Sequence, residues 1–145
     1  MENRKKVLFV QKVAEDEFET ESLWCIEDGN SYIIDNIPFI AKRIALGDTI
    51  KVEYDEDEGA YYFDDFLATS GNSTIRLYFE DGELIEATRE ALEKLGCESE
   101  AFLARKIVAV NVPKQVNYRL VKKYLDDGEG QNKWQYEESC LSHEY

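Results

Sequence analysis

The first half of the chain alternates apolar and polar residues with a period of two, as half-buried β-strands do. In Thr49–Tyr54, Ile50 and Val52 share one face and charged residues take the other. Other runs rich in β-branched and aromatic residues are also predicted to be strands, namely Lys5–Val13, Ser22–Glu27, Ser31–Asp35 and Ala60–Ala68. Several short strands with tight turns before residue 70 predict a small, strongly bent β-sheet or a partial barrel.

Turn-forming residues separate these strands. The sequence Asp28-Gly29-Asn30 predicts a tight antiparallel hairpin, because glycine and asparagine tolerate positive φ. Pro38 lacks an amide donor and fixes φ, so the preceding strand should end before it. The acidic run Ala14–Glu21 is predicted to be a solvated loop, and Ala41–Leu46 is predicted to form one helical turn closed by Gly47.

Two segments in the second half have the 3.6-residue period of amphipathic helices. They are Glu83–Leu95 and Tyr118–Asp126, and Asn117 is well suited to cap the second helix. Gly128 and Gly130 are expected to mark the exit from that helix. Its buried stripe is expected to contain Leu120, Val121, Tyr124 and Leu125.

Strands flank both predicted helices, at Thr74–Phe79, Cys97–Leu103, Lys106–Val112 and Lys133–Ser139. The resulting β-α-β-β-α-β order is that of a ferredoxin-like split βαβ unit. The small polar run Thr69–Ser73 is the best candidate for a boundary. We therefore expect an α+β chain with a small β unit at residues 1–70 and a ferredoxin-like unit at residues 71–145.

The net charge narrows the class of partner. The chain has 31 Asp and Glu residues against 17 Lys and Arg, a net charge of −14, and most of the excess lies in residues 1–72. Such a field repels nucleic acid and anionic membranes and attracts basic proteins. A simpler explanation, that the negative surface keeps the protein soluble, stays open.

The cysteines and the N-terminal segment indicate a cellular compartment. Cys25, Cys97 and Cys140 are widely spaced and His143 is the single histidine, so neither a disulfide framework nor a zinc site is expected. The N-terminal apolar run, Val7–Val10, is too short for a signal peptide, and no segment approaches the ~18 apolar residues of a membrane span. We expect a reduced, cytoplasmic protein without a metal or cofactor.

Six short blocks occur in an order and spacing that resemble a known bacterial family. They are ESLWC, YIIDNIPFIAKRIALGD, SGNSTIRLYF, LGCESE, AVNVP and KWQYEES. On these blocks the chain resembles the family called domain of unknown function 4265, over about Glu21 to Cys140. The resemblance implies a two-part architecture and a small soluble bacterial protein, and it implies no activity.

The acidic hairpin between two predicted strands is the first candidate site. Its four consecutive carboxylates can form an electrostatic surface for a basic protein, with neighbouring tyrosines as anchors. A plain solvated turn is the alternative, and a calcium loop is disfavoured because glycine stands fifth instead of sixth. The predicted partner-binding residues are Asp55, Glu56, Asp57, Glu58, Tyr61, Tyr62, Asp64 and Asp65.

Three further groups of residues are weaker candidates for a functional site. Ser70–Thr74 could present amides and hydroxyls to an anion, but no helix or phosphate-loop lysine follows it, which favours a structural linker. Catalysis lacks an evident base, because His143 lies at an end expected to be frayed. Trp24, Trp134 and Tyr136 could line a pocket between the two units, although aromatics at strand positions are more often core residues.

These features together predict a non-catalytic acidic binding protein. The most specific version is an immunity protein or antitoxin that neutralises a basic, nuclease-type bacterial toxin, whose active site must be basic to hold phosphates. The alternative from another class is a small-molecule-binding or regulatory module that uses a cleft. The sequence leaves the oligomeric state open.

Overall fold

The protein has a mixed α+β fold that begins with a closed five-stranded barrel. The computed structural model describes residues 3–144. The barrel strands follow one another around the wall, and β1 and β5 close it as parallel neighbours through Val7–Tyr61 and Leu8–Tyr62. The strands are β1 (Arg4–Ala14), β2 (Glu17–Asp28), β3 (Ser31–Ile34), β4 (Thr49–Asp55) and β5 (Ala60–Ala68).

Inward-pointing apolar residues from the barrel strands, with two from the β3–β4 connection, fill the barrel. This follows from the period-two alternation, which sends every second side chain inside. The predicted bent sheet is therefore a complete barrel, and the Gly29 hairpin turn, with φ +65° at Gly29, joins β2 and β3 as expected. The buried core residues are Val7, Phe9, Leu23, Cys25, Ile34, Ala41, Ile44 and Ile50.

The loop predicted at Ala14–Glu21 is wrong. Only a two-residue turn separates β1 from β2, and Glu17 already pairs with Ala14 across the hairpin. Two of the acidic residues in this segment have partners within the protein. Glu19 forms an ion pair with Arg105 at 2.5 Å, and Glu21 accepts hydrogen bonds from backbone amides. Tertiary partners thus override the solvation preference of these carboxylates.

The helical turn predicted at Ala41–Leu46 is also absent, since no helix lies between β3 and β4. The Glu21 carboxylate accepts from the amides of Phe39, Ile40 and Ala41 at 2.6, 2.9 and 2.8 Å. From the other side, the Arg76 guanidinium donates to the carbonyl oxygens of Ile40, at 2.9 Å, and Ala41. Side chains therefore satisfy backbone groups that a helix would have paired.

A four-stranded sheet with two helices follows the barrel. Its strand order is β7-β8-β6-β9, and each neighbouring pair is antiparallel. All six residues of β8 are buried, as predicted for a central strand. Short 3-10 turns at 82–84 and 103–105 precede α1 and β8. The elements are β6 (Ser73–Tyr78), α1 (Ile85–Lys94), β7 (Glu98–Phe102), β8 (Ile107–Val112), α2 (Tyr118–Gly130) and β9 (Gln135–Cys140).

The second helix begins as predicted and ends later than predicted. The Asn117 side chain accepts from the Arg119 amide at 3.0 Å, which is an N-cap. Gly128 and Gly130 lie inside α2 instead of after it. At Gly128 Trp134 packs so closely that any side chain would collide with it. Leu120, expected in the buried stripe, is 57% exposed.

Neither helix among residues 3–144 is long and apolar enough to cross a membrane.

Hydrogen bonds fix the segment of residues 69–72, which connects β5 to β6. The Ser70 hydroxyl donates to the carbonyl oxygen of Leu46 at 2.9 Å, and the Asn72 amide donates to the same oxygen at 2.8 Å. The Ser70 amide donates to Asp48 at 2.8 Å. These bonds use the groups that an anion would need. The division into units at 1–70 and 71–145 stays a prediction.

Candidate functional site

The acidic hairpin connects β4 and β5 at one end of the barrel. Opposite residues of the two strands share a face, so Glu53 and Tyr62 lie side by side on the outside, while Tyr54 and Tyr61 share the inward-facing side. The turn extends this surface beyond the paired strands. Its residues are exposed, with the exception of half-buried Asp55.

Asp55 has a structural role in the turn. Its Oδ1 accepts from the amides of Asp57, at 2.9 Å, and Glu58, at 3.1 Å. The Gly59 amide donates to the Asp55 carbonyl oxygen at 2.8 Å, and Gly59 has φ +65°, where a side chain would be strained. One of the four carboxylates is therefore enough to close the turn.

Glu56, Asp57 and Glu58 are not needed for the turn. Across residues 3–144, none of these carboxylates forms an ion pair or accepts a hydrogen bond. A shallow groove of ≈ 440 Å³ beside them is lined by Glu53, Tyr54, Asp55, Glu56 and Tyr62. Tyr54 is half exposed. The result is a compact group of solvated carboxylates beside aromatic surface.

Tyr61 does not belong to this group. It pairs with buried Val7 and packs against the barrel core, and its ring lies 4.8 Å from the ring of Tyr54 and 6.3 Å from that of Tyr32. Neighbouring residues in a strand point to opposite faces. Tyr61 and Tyr62 therefore cannot both contact one partner at the outer face.

Asp64 and Asp65 lie further along β5 and already have partners. Asp64 Oδ2 is 3.5 Å from Lys51 Nζ, and Asp65 Oδ1 accepts from the Phe66 amide at 2.9 Å. Of the eight residues predicted to bind a partner, five thus lie together on the turn and groove: Asp55, Glu56, Asp57, Glu58 and Tyr62. Sequence reasoning missed Glu53 and Tyr54, although the alternation of β4 could have placed Glu53 beside Tyr62.

Two of the three cysteine thiols, those of Cys25 and Cys97, are buried. Burial, with the charge of Asp35, raises the pKa of the Cys25 thiol to about 12, and burial with the charge of Glu98 raises the pKa of Cys97 to about 11. Thiolates are the reactive form. Both thiols are accordingly protonated at neutral pH.

His143, expected to lie in a frayed segment, is anchored by hydrogen bonds. His143 Nδ1 lies 2.6 Å from the Ser73 hydroxyl, and its Nε2 lies 2.8 Å from the Pro113 carbonyl oxygen. Because a carbonyl oxygen only accepts, Nε2 carries the proton and Nδ1 accepts from Ser73 in the neutral ring. Both ring nitrogens thus hold the C-terminal segment against the second sheet.

Of the three aromatic residues predicted to line a pocket, Trp24 lies apart from Trp134 and Tyr136. Trp134 is buried in the core of the second sheet and donates its indole N–H to the Leu125 carbonyl oxygen at 3.1 Å, whereas Trp24 lies on the outer face of the barrel. Trp134 and Tyr136 do line an open groove of ≈ 730 Å³ beside the start of β9, together with Tyr78, Glu129 and Lys133. Within residues 3–144, no cluster of three or more His, Cys, Asp or Glu residues is placed to hold a metal ion.

Two comparisons place the chain among known proteins. A solved structure, a hypothetical protein from Neisseria gonorrhoeae, has the same fold with a TM-score of 0.81 and 24% sequence identity, over 99% of this chain and 98% of that chain. At this identity the likeness shows the fold alone. Residues 21–136 match a family model whose description is Domain of unknown function (DUF4265). No curated protein matches the chain.

Proposed function

We propose, for a chain that belongs to the domain of unknown function 4265 family, that the acidic hairpin is a docking surface for a basic protein. The observation that carries the proposal is that folding uses only Asp55 of the four consecutive carboxylates. Glu56, Asp57 and Glu58 are left exposed beside Tyr62. Uncompensated like charges cost free energy, so a local concentration of them is better explained by a partner than by stability.

The partner we propose is a basic bacterial toxin of the nuclease type, and the protein is its non-catalytic immunity protein or antitoxin. A nuclease holds phosphates with Lys and Arg, and a carboxylate-rich surface complements such a site and accelerates association. The protonated, buried thiols and the structural bonds of His143 support a role without catalysis. Three free cysteines support a reducing, cytoplasmic location.

We also propose that the second unit has a ferredoxin-like fold. Helices follow β6 and β8, and the antiparallel order β9-β6-β8-β7 supports interpreting the second unit as ferredoxin-like. The alternative function, a small-molecule-binding or regulatory module, would use the groove of ≈ 730 Å³ beside Trp134. Its lining mixes charges of both signs with aromatic rings, which favours a small zwitterionic or polar ligand over a basic protein.

The test is co-purification with the product of the neighbouring gene, followed by association kinetics from low to high salt. A triple variant, Glu56→Gln/Asp57→Asn/Glu58→Gln, removes three charges and keeps the Asp55 turn. Because electrostatic steering contributes roughly 10- to 1,000-fold to association rates, we expect this variant to associate about tenfold more slowly.

The matched control changes the net charge equally at another surface. Glu83, Glu90 and Glu93 are exposed on and near α1, and their replacement by Gln removes the same three charges. We expect this control to slow association much less than the hairpin variant. Equal slowing by both triple variants would assign the effect to overall charge, and an association rate that salt leaves unchanged would contradict the proposal.

A further inference from the structure

Strand β7 forms one edge of the second sheet, and part of its backbone points away from the sheet. The Phe79 amide donates to the Lys106 carbonyl oxygen at 2.9 Å, so the amide of the next residue, Ile107, points the opposite way, to β7. Hydrogen bonds alternate between the two sides of an antiparallel strand. In the register of β7 with β8, the backbone groups of Ser99 and Ala101 therefore point outward.

A contact from the neighbouring helix agrees with this orientation. Arg89 of α1 donates from Nη2 to the Ser99 carbonyl oxygen at 3.0 Å, at the outer side of the strand. Within the part of the chain that the structure describes, no other group bonds to the outward amides of Ser99 and Ala101 or to the Ala101 carbonyl oxygen. Two donors and one acceptor are thus available to an added strand.

The side chains along this edge are acidic. Ala101 packs against the core under the helices, so alternation puts Glu98 and Glu100 on the opposite face of the sheet, where both are exposed. Glu98 accepts a hydrogen bond from Asn111 at 3.2 Å, and neither glutamate forms an ion pair with another residue of 3–144. These carboxylates can therefore pair with cations of a strand laid beside β7.

The helix side of the same edge is also acidic. An open groove of ≈ 350 Å³ lies between α1 and β7, and its lining includes three glutamates of α1. Arg89 is the one cation in this lining, and its Nη1 lies 3.3 Å from a carboxylate oxygen of Glu86. The other two glutamates, Glu90 and Glu93, form no ion pair with residues 3–144. An extended chain along β7 would thus meet carboxylates on both of its faces.

Apolar surface marks the end of β7. Phe102 is 38% exposed and Leu103 is 68% exposed. The ring of Phe102 meets that of Phe39 edge to face, with 5.8 Å between their centres, so its position is fixed by the barrel. A side chain of an added strand that lies opposite Phe102 can bury this surface.

We propose that the edge of β7 binds an extended basic segment of another protein, which joins the second sheet as a fifth, antiparallel strand. The backbone of Ser99 and Ala101 pairs with the segment, and its Lys or Arg side chains lie opposite Glu98 and Glu100. An apolar side chain of the segment packs on Phe102. In strand addition of this kind, main-chain hydrogen bonds give affinity and alternate side chains give specificity.

The charge of this edge disfavours a second copy of this chain as the added strand. Antiparallel self-pairing about the centre of β7 would set the two copies of Glu100 directly opposite each other, and like charges in that position destabilise a sheet. Charged side chains on edge strands prevent such self-pairing in many proteins. A strand with Lys or Arg at alternate positions replaces the repulsion by attraction.

The first test titrates the isotope-labelled full chain with a blocked peptide, Phe-Thr-Lys-Thr-Lys, and follows the backbone amides by NMR. Its phenylalanine and two lysines fall opposite Phe102, Glu100 and Glu98 in the antiparallel register. We expect the largest shift changes at the amides of Ser99 and Ala101, together with slower hydrogen exchange there. A peptide with Glu in place of both Lys should not bind. Absence of shifts at these two amides, or equal binding of the acidic peptide, overturns the proposal.

The second test changes the edge itself. Ala101→Pro removes an outward amide, and proline is accepted where an edge-strand amide faces away from the sheet. We expect this variant to keep the fold and to bind the peptide about tenfold more weakly. Glu98→Gln/Glu100→Gln leaves the backbone unchanged and should weaken binding about fivefold, so it carries the test if the proline variant unfolds. Unchanged affinity in the glutamine variant contradicts the proposed register.

The matched control is the hairpin variant Glu56→Gln/Asp57→Asn/Glu58→Gln, which removes three charges at the end of the barrel. We expect it to bind the peptide as the wild type does. If it weakens binding as much as the β7 variant, the peptide responds to overall charge and the proposed site is wrong.

The inference does not rest on the proposed function, because the peptide test contains no toxin and β7 requires an unpaired strand, whereas the acidic hairpin offers a surface to a folded protein. Peptide binding at β7 without binding of the neighbouring gene product leaves this proposal standing and counts against the toxin proposal. Binding of that product without shifts at β7 does the opposite.

Discussion

Gly128 in α2 offers a prediction whose sign is opposite to the usual rule for glycine in helices. Replacing glycine by alanine inside a helix normally stabilises it by about 1 kcal/mol. At Gly128, however, an added Cβ would lie 1.9 Å from Cζ2 of Trp134, and two more indole carbons would be within 2.4 Å. Atoms do not approach so closely, so the helix or the indole must move.

Trp134 has little freedom to move. It is 5% exposed, and its indole N–H donates to the Leu125 carbonyl oxygen. The rings of Phe79 and Tyr124 lie 5.8 and 5.4 Å from its ring. Overpacking a tight core costs roughly 1–3 kcal/mol and occasionally more. We therefore expect Gly128→Ala to lower the free energy of unfolding by about 1–3 kcal/mol, despite its better helix propensity.

Gly130 is the matched control, since it lies in the same helix and an added Cβ would meet nothing within 4 Å. Gly130→Ala should raise the free energy of unfolding by up to about 1 kcal/mol. Urea titrations followed by circular dichroism measure both variants. Gly128→Ala should also cost less in a Trp134→Leu background, where the indole is gone. If Gly128→Ala proved as stable as Gly130→Ala, the packing argument would be wrong.

Three other outcomes follow from contacts of the described residues. Glu21→Gln should lower the free energy of unfolding by about 1–3 kcal/mol, because the new side-chain amide would face backbone amides that now donate to the carboxylate. Urea titrations of this variant and of Glu17→Gln, a control at an exposed position, measure the difference. The hydrogen bond and charge of Arg105 lower the pKa of Glu19, so this pair stabilises the fold above the ordinary carboxyl pKa and loses its effect as pH falls through the lowered value; the gap in urea midpoint between wild type and Glu19→Gln should therefore close in acid. Buried Cys25 and Cys97 should react with a thiol reagent at neutral pH only after denaturant is added, and rapid labelling of the folded protein at either position, located by mass spectrometry, would contradict their burial.

Local patterns in the sequence were sufficient for most secondary structure. The strand predicted at Ala60–Ala68 matches β5 at both ends, and Asn117 caps α2 as its side chain suggested. These features depend on alternation, turn chemistry and capping, which act between near neighbours. Leu120 shows where such local patterns fail, because an apolar residue next to a buried stripe can still face solvent.

Long-range partners account for what the sequence did not predict. The conformation of residues 39–41 depends on Glu21 and on Arg76, which lies about 35 positions further along the chain. The anchoring of His143 depends on Ser73 and Pro113. Nothing in the local sequence identifies such partners. The acidic turn was found from its run of four carboxylates, but the pairing of β1 with β5 was needed to show that Tyr61, and not Tyr62, faces the barrel core.

The register of the β1–β2 hairpin decides the charge of the barrel's outer face. Lys12 pairs with Phe18 and Ala14 with Glu17, so Val13 is an extra residue in β1. Beyond this bulge, the glutamates at alternate positions of β2 point inward to their partners, and the apolar residues between them point outward. A slip by one residue would exchange the two sets. The outer face of β2 would then carry its glutamates, and the exposed apolar residues would take their place on the other side.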